Sequence, residues 1–441
     1  MPTTPAAPQS PHSDYWLPMV IIGVLFFIFG FVTWLNGPLI TFAKLAFQVP
    51  DTYAFLVPSA FYLSYFFLAL PSSTILKRTG MKKGMALGLF VMAIGAVIFS
   101  QFAPMRVYAG VLTGLFVIGA GLALLQTAAN PYISILGPIE SAARRIAVMG
   151  ICNKGAGALA PIVIGAVALR GIDKLEQTLH AAATPAARDS LLNSFAAQMR
   201  WPYLAMAIIL ILVAIWVIRS ALPEIRPESA NRETGEARTS MLRLPHFWLG
   251  VVCLFLYVGV EVMAGDAIGI YGQGFGLPVG ETAHFTTFTM LAMLIGYALG
   301  FVLTPRFISQ ERYLGISAVL GVLLTLIAWL TVGFTSVLFV AALGFANAMM
   351  WPAIFPLAIR GLGRHTELGS AFLIMAIAGG AIIPQLFAHL KLHINFQLAF
   401  MVLMVPCYLY ILFYAVYGSS AGLSNAGYAT SNPAAESGSA S

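Results

Sequence analysis

Lys154, Glu261 and Asp266 stand inside long apolar runs of this 441-residue chain, where charged side chains are scarce. In a helix surrounded by lipid, a charge near the centre costs about 2.5–3.5 kcal/mol on insertion scales, so it normally faces a cavity or a partner. Glu261 lies about fifteen residues into its run, near mid-depth by helix rise. It is the carboxylate expected at that depth, which makes it the candidate for carrying an exchangeable ion; the alternative is a structural partner for a neighbouring helix's donors. Lys154 sits about a third of the way into its run and has two options, snorkelling to the interface or pairing across the bundle. Asp266 is nearer the end of its run and is expected to be a solvated terminus residue. Six amides share the same runs: Asn36, Gln126, Asn130, Asn153, Asn347 and Gln385. Each offers both donor and acceptor, and Gln126 and Asn130, four apart, share one helix face. Trp34, Tyr257, Trp351 and Phe355 lie close to them in sequence. The competing role for such amides is to join helices, at about 1 kcal/mol or less per bond. Asn36 before Gly37-Pro38 and Asn130 before Pro131 have a further competing role, satisfying backbone groups at a kink.

The chain is 59% hydrophobic and 9% charged, against a charged share of about 25% for soluble domains, so it has too few charges to cover a water-exposed surface. It reads as an all-α membrane protein. Apolar runs of roughly 20 residues, long enough to cross a hydrocarbon core of about 30 Å, follow one another along almost the whole sequence. A β-barrel calls for weaker, alternating segments of about ten residues. The net charge of +7 falls mainly in short interhelical loops, which points to membrane topology rather than to nucleic acid. Cys152, Cys253 and Cys407 lie in apolar runs and read as small buried hydrophobes, with no metal site and no cofactor expected. No His-Glu-x-x-His, no Gly-x-Ser-x-Gly and no cluster of intramembrane acids occurs, which argues against an enzyme. A channel fits poorly, being more often a symmetric oligomer than an internally repeated chain.

The repeat is visible around the helix-breaking residues. Trp351-Pro352-Ala353-Ile354 stands where Asn130-Pro131-Tyr132-Ile133 stood about 220 residues earlier. Gly379-Gly380-Ala381 leads to Pro384 as Gly155-Ala156-Gly157 leads to Pro161. Twelve helices are expected, near 18–42, 54–76, 84–103, 108–135, 147–169, 201–221, 246–272, 283–304, 314–333, 335–359, 369–390 and 396–417. They divide into a six-helix bundle over 18–221, with an outer, partly helical loop at 171–200, and a second bundle over 246–417. Residues 1–17 and 418–441 are expected to be disordered cytoplasmic ends, and 222–245 a solvated cytoplasmic linker. The N-terminal stretch lacks a basic n-region and a cleavage site, so the first helix is expected to be retained. With the N-terminus inside, inner loops hold fifteen Lys and Arg residues against seven outside. Both termini are therefore expected in the cytoplasm, with the bundles in a plasma membrane of bacterial inner-membrane type.

Six helices, a charged linker and six more form the layout of the major facilitator superfamily, whose halves are related by an axis along the membrane normal with a site between them. Lys77-Arg78-Thr79-Gly80-Met81-Lys82-Lys83 resembles that superfamily's signature loop, with Ser73 in place of its glycine and Lys77 in place of its aspartate. Within the superfamily, the chain resembles the fucose:proton symporter family. The resemblance is carried by Phe29-Gly30-Phe31-Val32-Thr33-Trp34-Leu35-Asn36-Gly37-Pro38, the Gln126–Gly137 stretch, Arg144-Arg145 and Asn153-Lys154-Gly155-Ala156-Gly157. Tyr257-Val258-Gly259-Val260-Glu261 and Trp351-Pro352-Ala353-Ile354-Phe355 add to it. The sequence is most similar to the branch of glucose/galactose and N-acetylglucosamine transporters. Where the fucose transporters carry acids in helices one and four, this chain has Gly37 and Gln126, so their coupling chemistry does not transfer directly.

The resemblance implies a secondary active transporter that imports a neutral monosaccharide by alternating access, working as a monomer in the lipid bilayer with H+ or Na+ as coupling ion. A hexose of glucose or galactose type is the expected substrate. N-acetylglucosamine, an uncoupled uniporter and a non-transporting sugar sensor are the alternatives. A sugar needs neutral donors and acceptors plus aromatic faces, so the substrate-binding candidates are Gln126, Asn130, Asn153, Asn347, Gln385, Asn36, Trp351 and Tyr257. Glu261 and Lys154 are the candidates for ion coupling. Arg144, Arg145 and Arg364 lie in corresponding turns near Glu140 and Glu367, where ion pairs would latch an inner gate; topology alone also accounts for them.

Overall fold

The computed structural model describes residues 16–135, 142–169, 171–182, 184–224, 243–304, 307–362 and 365–423. Among them are twelve helices long and apolar enough to cross a membrane. They are α1 (Trp16–Ala46), α2 (Asp51–Thr79), α3 (Met81–Phe102), α4 (Tyr108–Ile133), α5 (Arg145–Val167), α6 (Pro185–Arg219), α7 (Pro245–Gly265), α8 (Val279–Leu303), α9 (Gln310–Leu330), α10 (Gly333–Ile359), α11 (Leu368–Leu390) and α12 (Phe396–Val416). An even number of spans puts the described chain ends on one face, called here the terminal face; the opposite face is the far face. Large apolar side chains such as Ile208, Leu212, Ile295 and Leu330 are exposed on the bundle's outside, as a lipid-facing surface requires.

Within the first half α3 packs on α4 and α6, α2 on α4, and α1 on α5. Within the second, α9 packs on α10 and α12, α8 on α10, and α7 on α11. Two seams join the halves, α5 against α8 and α2 against α11. Close approach at these contacts depends on small residues. A Cβ on Gly30 of α1 would lie 2.2 Å from the Asn153 carbonyl oxygen of α5, well inside contact distance.

Several spans are interrupted where the site lies. α1 is helical to Thr33, turns at Trp34-Leu35 and resumes at Asn36. Pro38 lacks the N–H that would bond the Trp34 carbonyl, so the ladder breaks there. α7 ends at Gly265 rather than continuing to residue 272, and a separate helix follows over Ile268–Gln273. α10 ends its first segment at Asn347 and resumes at Met350, two residues before Pro352. α11 passes through a tight 3-10 turn at Ala376–Ala378.

The stretch expected as an outer loop contains two helices, Ile172–Ala181 and Pro185–Ala197, the second capped by the Thr184 hydroxyl. It is tied to the other half where the Gly280 N–H donates to Asp173 Oδ1 at 2.8 Å. On the terminal face, Lys82 Nζ donates to the Ser220 carbonyl at 2.7 Å and the Lys82 N–H to Glu224 Oε1 at 3.0 Å. Gly80 turns the chain there with φ +80°, a conformation open to glycine.

Candidate functional site

The broken segments meet at one cavity between the halves, with a volume of about 110 Å³. Space of that size holds several waters, since one needs roughly 10–15 Å³ on this measure. α1 supplies Thr33 and Trp34, α2 supplies Tyr62 and Tyr65, α4 supplies Gln126 and Asn130, and α5 supplies Asn153 and Lys154. From the second half come Tyr257, Val258, Glu261 and Val262 of α7, Tyr297 of α8, Trp351 and Pro352 of α10, and Ile377 of α11.

Seven of the sequence-predicted residues are thus brought together: Gln126, Asn130, Asn153, Lys154, Tyr257, Glu261 and Trp351. The i, i+4 spacing on α4 aims Gln126 and Asn130 the same way, and the neighbours of Pro131 remain helical. Gln126 Nε2 donates to the Tyr65 hydroxyl at 2.9 Å, which fixes the amide and leaves its carbonyl oxygen for a ligand. Trp34 is wedged between α5 and α7. A Cβ on Gly157 would lie 2.4 Å from its ring and one on Gly265 2.3 Å, so both flanking positions need glycine. Its Nε1 and the Thr33 hydroxyl, both on the cavity wall, have no hydrogen-bond partner among the described residues. Trp351 stacks on Phe355 with ring centroids 5.8 Å apart.

Charge in the cavity is balanced across the seam. Lys154 Nζ donates to Glu261 Oε1 at 2.7 Å, and both side chains are buried. The ammonium also lies 4.4 Å from the Trp34 ring centroid, a cation–π distance. Of the two options open to Lys154, it takes the cross-bundle pair. The wall therefore presents no net charge from this pair, together with amide, hydroxyl and indole groups and aromatic faces. Such a surface suits a neutral, hydroxyl-bearing molecule better than an ion.

Three predicted binding residues lie elsewhere. Asn347 is fully buried and accepts from the Tyr408 hydroxyl at 2.9 Å, because the α10 interruption removes it from the helical face that continues to Trp351. Gln385 lies toward the far face, where its Nε2 donates to the Thr52 carbonyl at 2.9 Å and so bridges the halves. Asn36 is 1% exposed behind the cavity wall, since the α1 turn at Trp34-Leu35 carries it past the opening. Asp266 also departs from expectation. It is 1% exposed rather than solvated, because the break after α7 folds back into the protein instead of reaching the membrane surface. Its Oδ2 accepts from Tyr62 at 3.2 Å.

The gating arginines resolve only in part. Arg145 is buried and its Nε donates to the Ile133 carbonyl at 3.0 Å, closing the end of α4 in its own half. Arg364 and the side chains of Arg144, Glu140 and Glu367 lie outside the described residues. Cross-half contacts instead gather at the far face: Lys391 with Asp51, Lys44 Nζ with Gln273 Oε1 at 3.2 Å, and the Ser59 hydroxyl with the Ala381 carbonyl at 3.1 Å. At the terminal face the Arg360–Glu311 pair, 2.8 Å apart, lies within one half. The cavity is therefore shut toward the far face. Sequence reasoning passed over Tyr62, Tyr65 and Tyr297; the i, i+3 spacing of the first two was the available signal.

The family model of the Major Facilitator Superfamily matches residues 22–384. The chain is 34% identical over 93% of its length to a glucose/galactose transporter of Brucella abortus, covering 96% of that protein. It is 30% identical over 84% of its length to the L-fucose-proton symporter of Escherichia coli, covering 86%. A crystal structure of FucP in the outward conformation superposes with a TM-score of 0.74 at 27% identity, covering 92% of this chain and 99% of the other.

Proposed function

This chain belongs to the Major Facilitator Superfamily, and on that premise we propose that it imports a neutral monosaccharide of glucose or galactose type by cation-coupled alternating access. One observation carries the reading: a cavity between the two halves, walled by amides of the first half and aromatic rings of both, whose internal charge is paired at 2.7 Å. Relatives that span nearly the same length and are named for glucose, galactose and fucose support the sugar class.

Each lining group has a task in this account. Gln126 and Asn153 offer donors and acceptors to ring hydroxyls, and Trp34, Tyr257 and Trp351 offer faces to the C–H surface. The Lys154–Glu261 pair joins α5 to α7. A sugar hydroxyl can accept from the ammonium or donate to the carboxylate, so filling the cavity and fastening the halves are linked events. The terminal face is cytoplasmic by the fifteen-to-seven bias of cations. Closure at the far face then sets this form apart from the outward-facing member of the cycle. The whole cavity is built by one chain, so a monomer suffices.

Purified protein in liposomes tests the reading. Uptake of a labelled panel of glucose, galactose, fucose and N-acetylglucosamine is measured with a proton gradient, with a sodium gradient and with a protonophore. Gradient-dependent accumulation of a hexose is expected. Preference for N-acetylglucosamine moves the substrate class, gradient-independent equilibration makes it a uniporter, and binding without movement makes it a sensor.

A further inference from the structure

We propose that Asp266, on the break after α7 and outside the sugar cavity, is the residue that takes up and releases the coupling proton. The inference rests on the transporter reading above and adds to it the site and nature of the coupling ion.

Asp266 is 1% exposed, and its Oδ1 has no hydrogen-bond partner among the described residues. Next to it lies a second group left with bonding capacity. Asn36 is also 1% exposed, and neither its Nδ2 nor its Oδ1 meets hydrogen-bond geometry, although Tyr62 lies beside it. The Tyr62 hydroxyl donates to Asp266 Oδ2 at 3.2 Å. The charged and titratable groups that face Asp266 are Tyr62 from α2, Lys154 from α5 and Glu261 five residues earlier on α7, with the Gly37 N–H of α1 as a further neighbour. The one cation among them, Lys154, is engaged by Glu261 at 2.7 Å. A buried carboxylate without a cation of its own is costly unless it carries a proton.

The place is also right for coupling. α1 and α2 belong to one half and α7 to the other, so the proton site straddles the parts that must move. Gly37 packs directly on it: a Cβ there would lie 3.4 Å from Asp266 Cα. A bound sodium ion fits less well, because such ions draw on freed carbonyls at helix breaks. Here the Gly265 and Ala264 carbonyls are taken by the Thr286 and Thr289 hydroxyls at 2.8 and 2.7 Å, and the Val262 carbonyl by the Asp266 N–H at 2.7 Å. The step is a simple protonation. The carboxylate gains H+ from water on the outer side, and the O–H bond breaks to return H+ to the inner side after the halves rock.

The test uses full-length protein in liposomes, wild type beside Asp266→Asn. Labelled-hexose counterflow needs no net proton movement and should stay within about threefold, while accumulation driven by a pH gradient should fall at least tenfold. Sugar-evoked alkalinisation of a weakly buffered medium should vanish with it. Wild-type protein that moves no sugar overturns the transporter reading. Wild-type transport with undiminished accumulation by Asp266→Asn overturns this inference alone, as does accumulation driven by sodium and indifferent to pH gradients. If Asp266→Asn fails to fold, infrared spectra of the wild type decide: a protonated-carboxyl band that titrates with pH and shifts in Asp266→Glu supports the site, and its absence at all pH values refutes it.

Discussion

The two halves of this molecule descend through the same pattern of helices, yet they furnish the cavity differently. The first half contributes the amides Gln126, Asn130 and Asn153 with Thr33 and Lys154, beside the rings of Trp34, Tyr62 and Tyr65. The second contributes Tyr257, Tyr297, Trp351, Val258 and Val262, with Glu261 as its charge. Corresponding positions show how this arose. Gln126 lies four residues before Asn130 and Asn347 four before Trp351, but only α4 stays helical between its pair. The α10 interruption sends Asn347 to Tyr408, and the same residue type becomes a strut. A duplicated sequence thus yields amides on one side of the cavity and aromatic rings on both, as a sugar with hydroxyl edges and a C–H surface requires.

Breaking the link between the faces should have the largest effect. Glu261→Ala leaves Lys154 buried without its partner, a change that costs about 3–5 kcal/mol in other buried pairs. Both counterflow and accumulation should fall by about 100-fold, and the melting temperature should drop. Lys154→Leu combined with Glu261→Leu should recover stability relative to either single change without recovering transport. This pattern differs from that expected of Asp266→Asn, where exchange survives. Equal effects on exchange from the two sites would erase the distinction between bridge and proton carrier.

The comparison of amides sharpens next. Gln126→Ala removes the proposed sugar bond and strands the Tyr65 hydroxyl, so KM for hexose counterflow should rise about tenfold, or about 1.4 kcal/mol. Asn347→Ala should leave KM within twofold and lower thermal stability by about 1 kcal/mol. A reversed result would mean the duplicated motif acts alike in both halves. Among the aromatic rings, Trp351→Ala should raise KM about fivefold with little change in maximal rate, measured by the same exchange assay.

Smaller effects belong to the far-face closure. Gln385→Ala removes its bond between the halves to the Thr52 carbonyl and a longer one, at 3.5 Å, from the Ser59 hydroxyl. It should shift the resting balance toward the outward-facing form by about 1 kcal/mol or less, roughly fivefold. Distance distributions between spin labels on the far face report that shift; an unchanged distribution would make Gln385 incidental to closure.

The spans and their pairing into halves were legible because lipid demands long apolar helices, and small errors at their ends left the assignment intact. The first-half wall of the cavity was legible for a related reason: unbroken helices keep i, i+4 residues on one face, as Gln126 and Asn130 demonstrate. Interruptions hid the rest. Asn36 and Asn347 sit at breaks that carry them off the expected face, and Asp266 follows a break that turns inward, so counting from the end of its apolar run put it in water. Tyr62 and Tyr65 escaped notice because a tyrosine in a membrane helix reads as packing until its hydroxyl is seen against Asp266 or Gln126.

The most direct test is a structure of the protein with saturating glucose or galactose, whichever it transports. The account predicts one sugar between the halves, its hydroxyls bonded to Gln126 and Asn153 and its C–H face against Trp351 or Tyr257, close to the Lys154–Glu261 pair. A transported hexose bound elsewhere, with this cavity filled only by water, would contradict it.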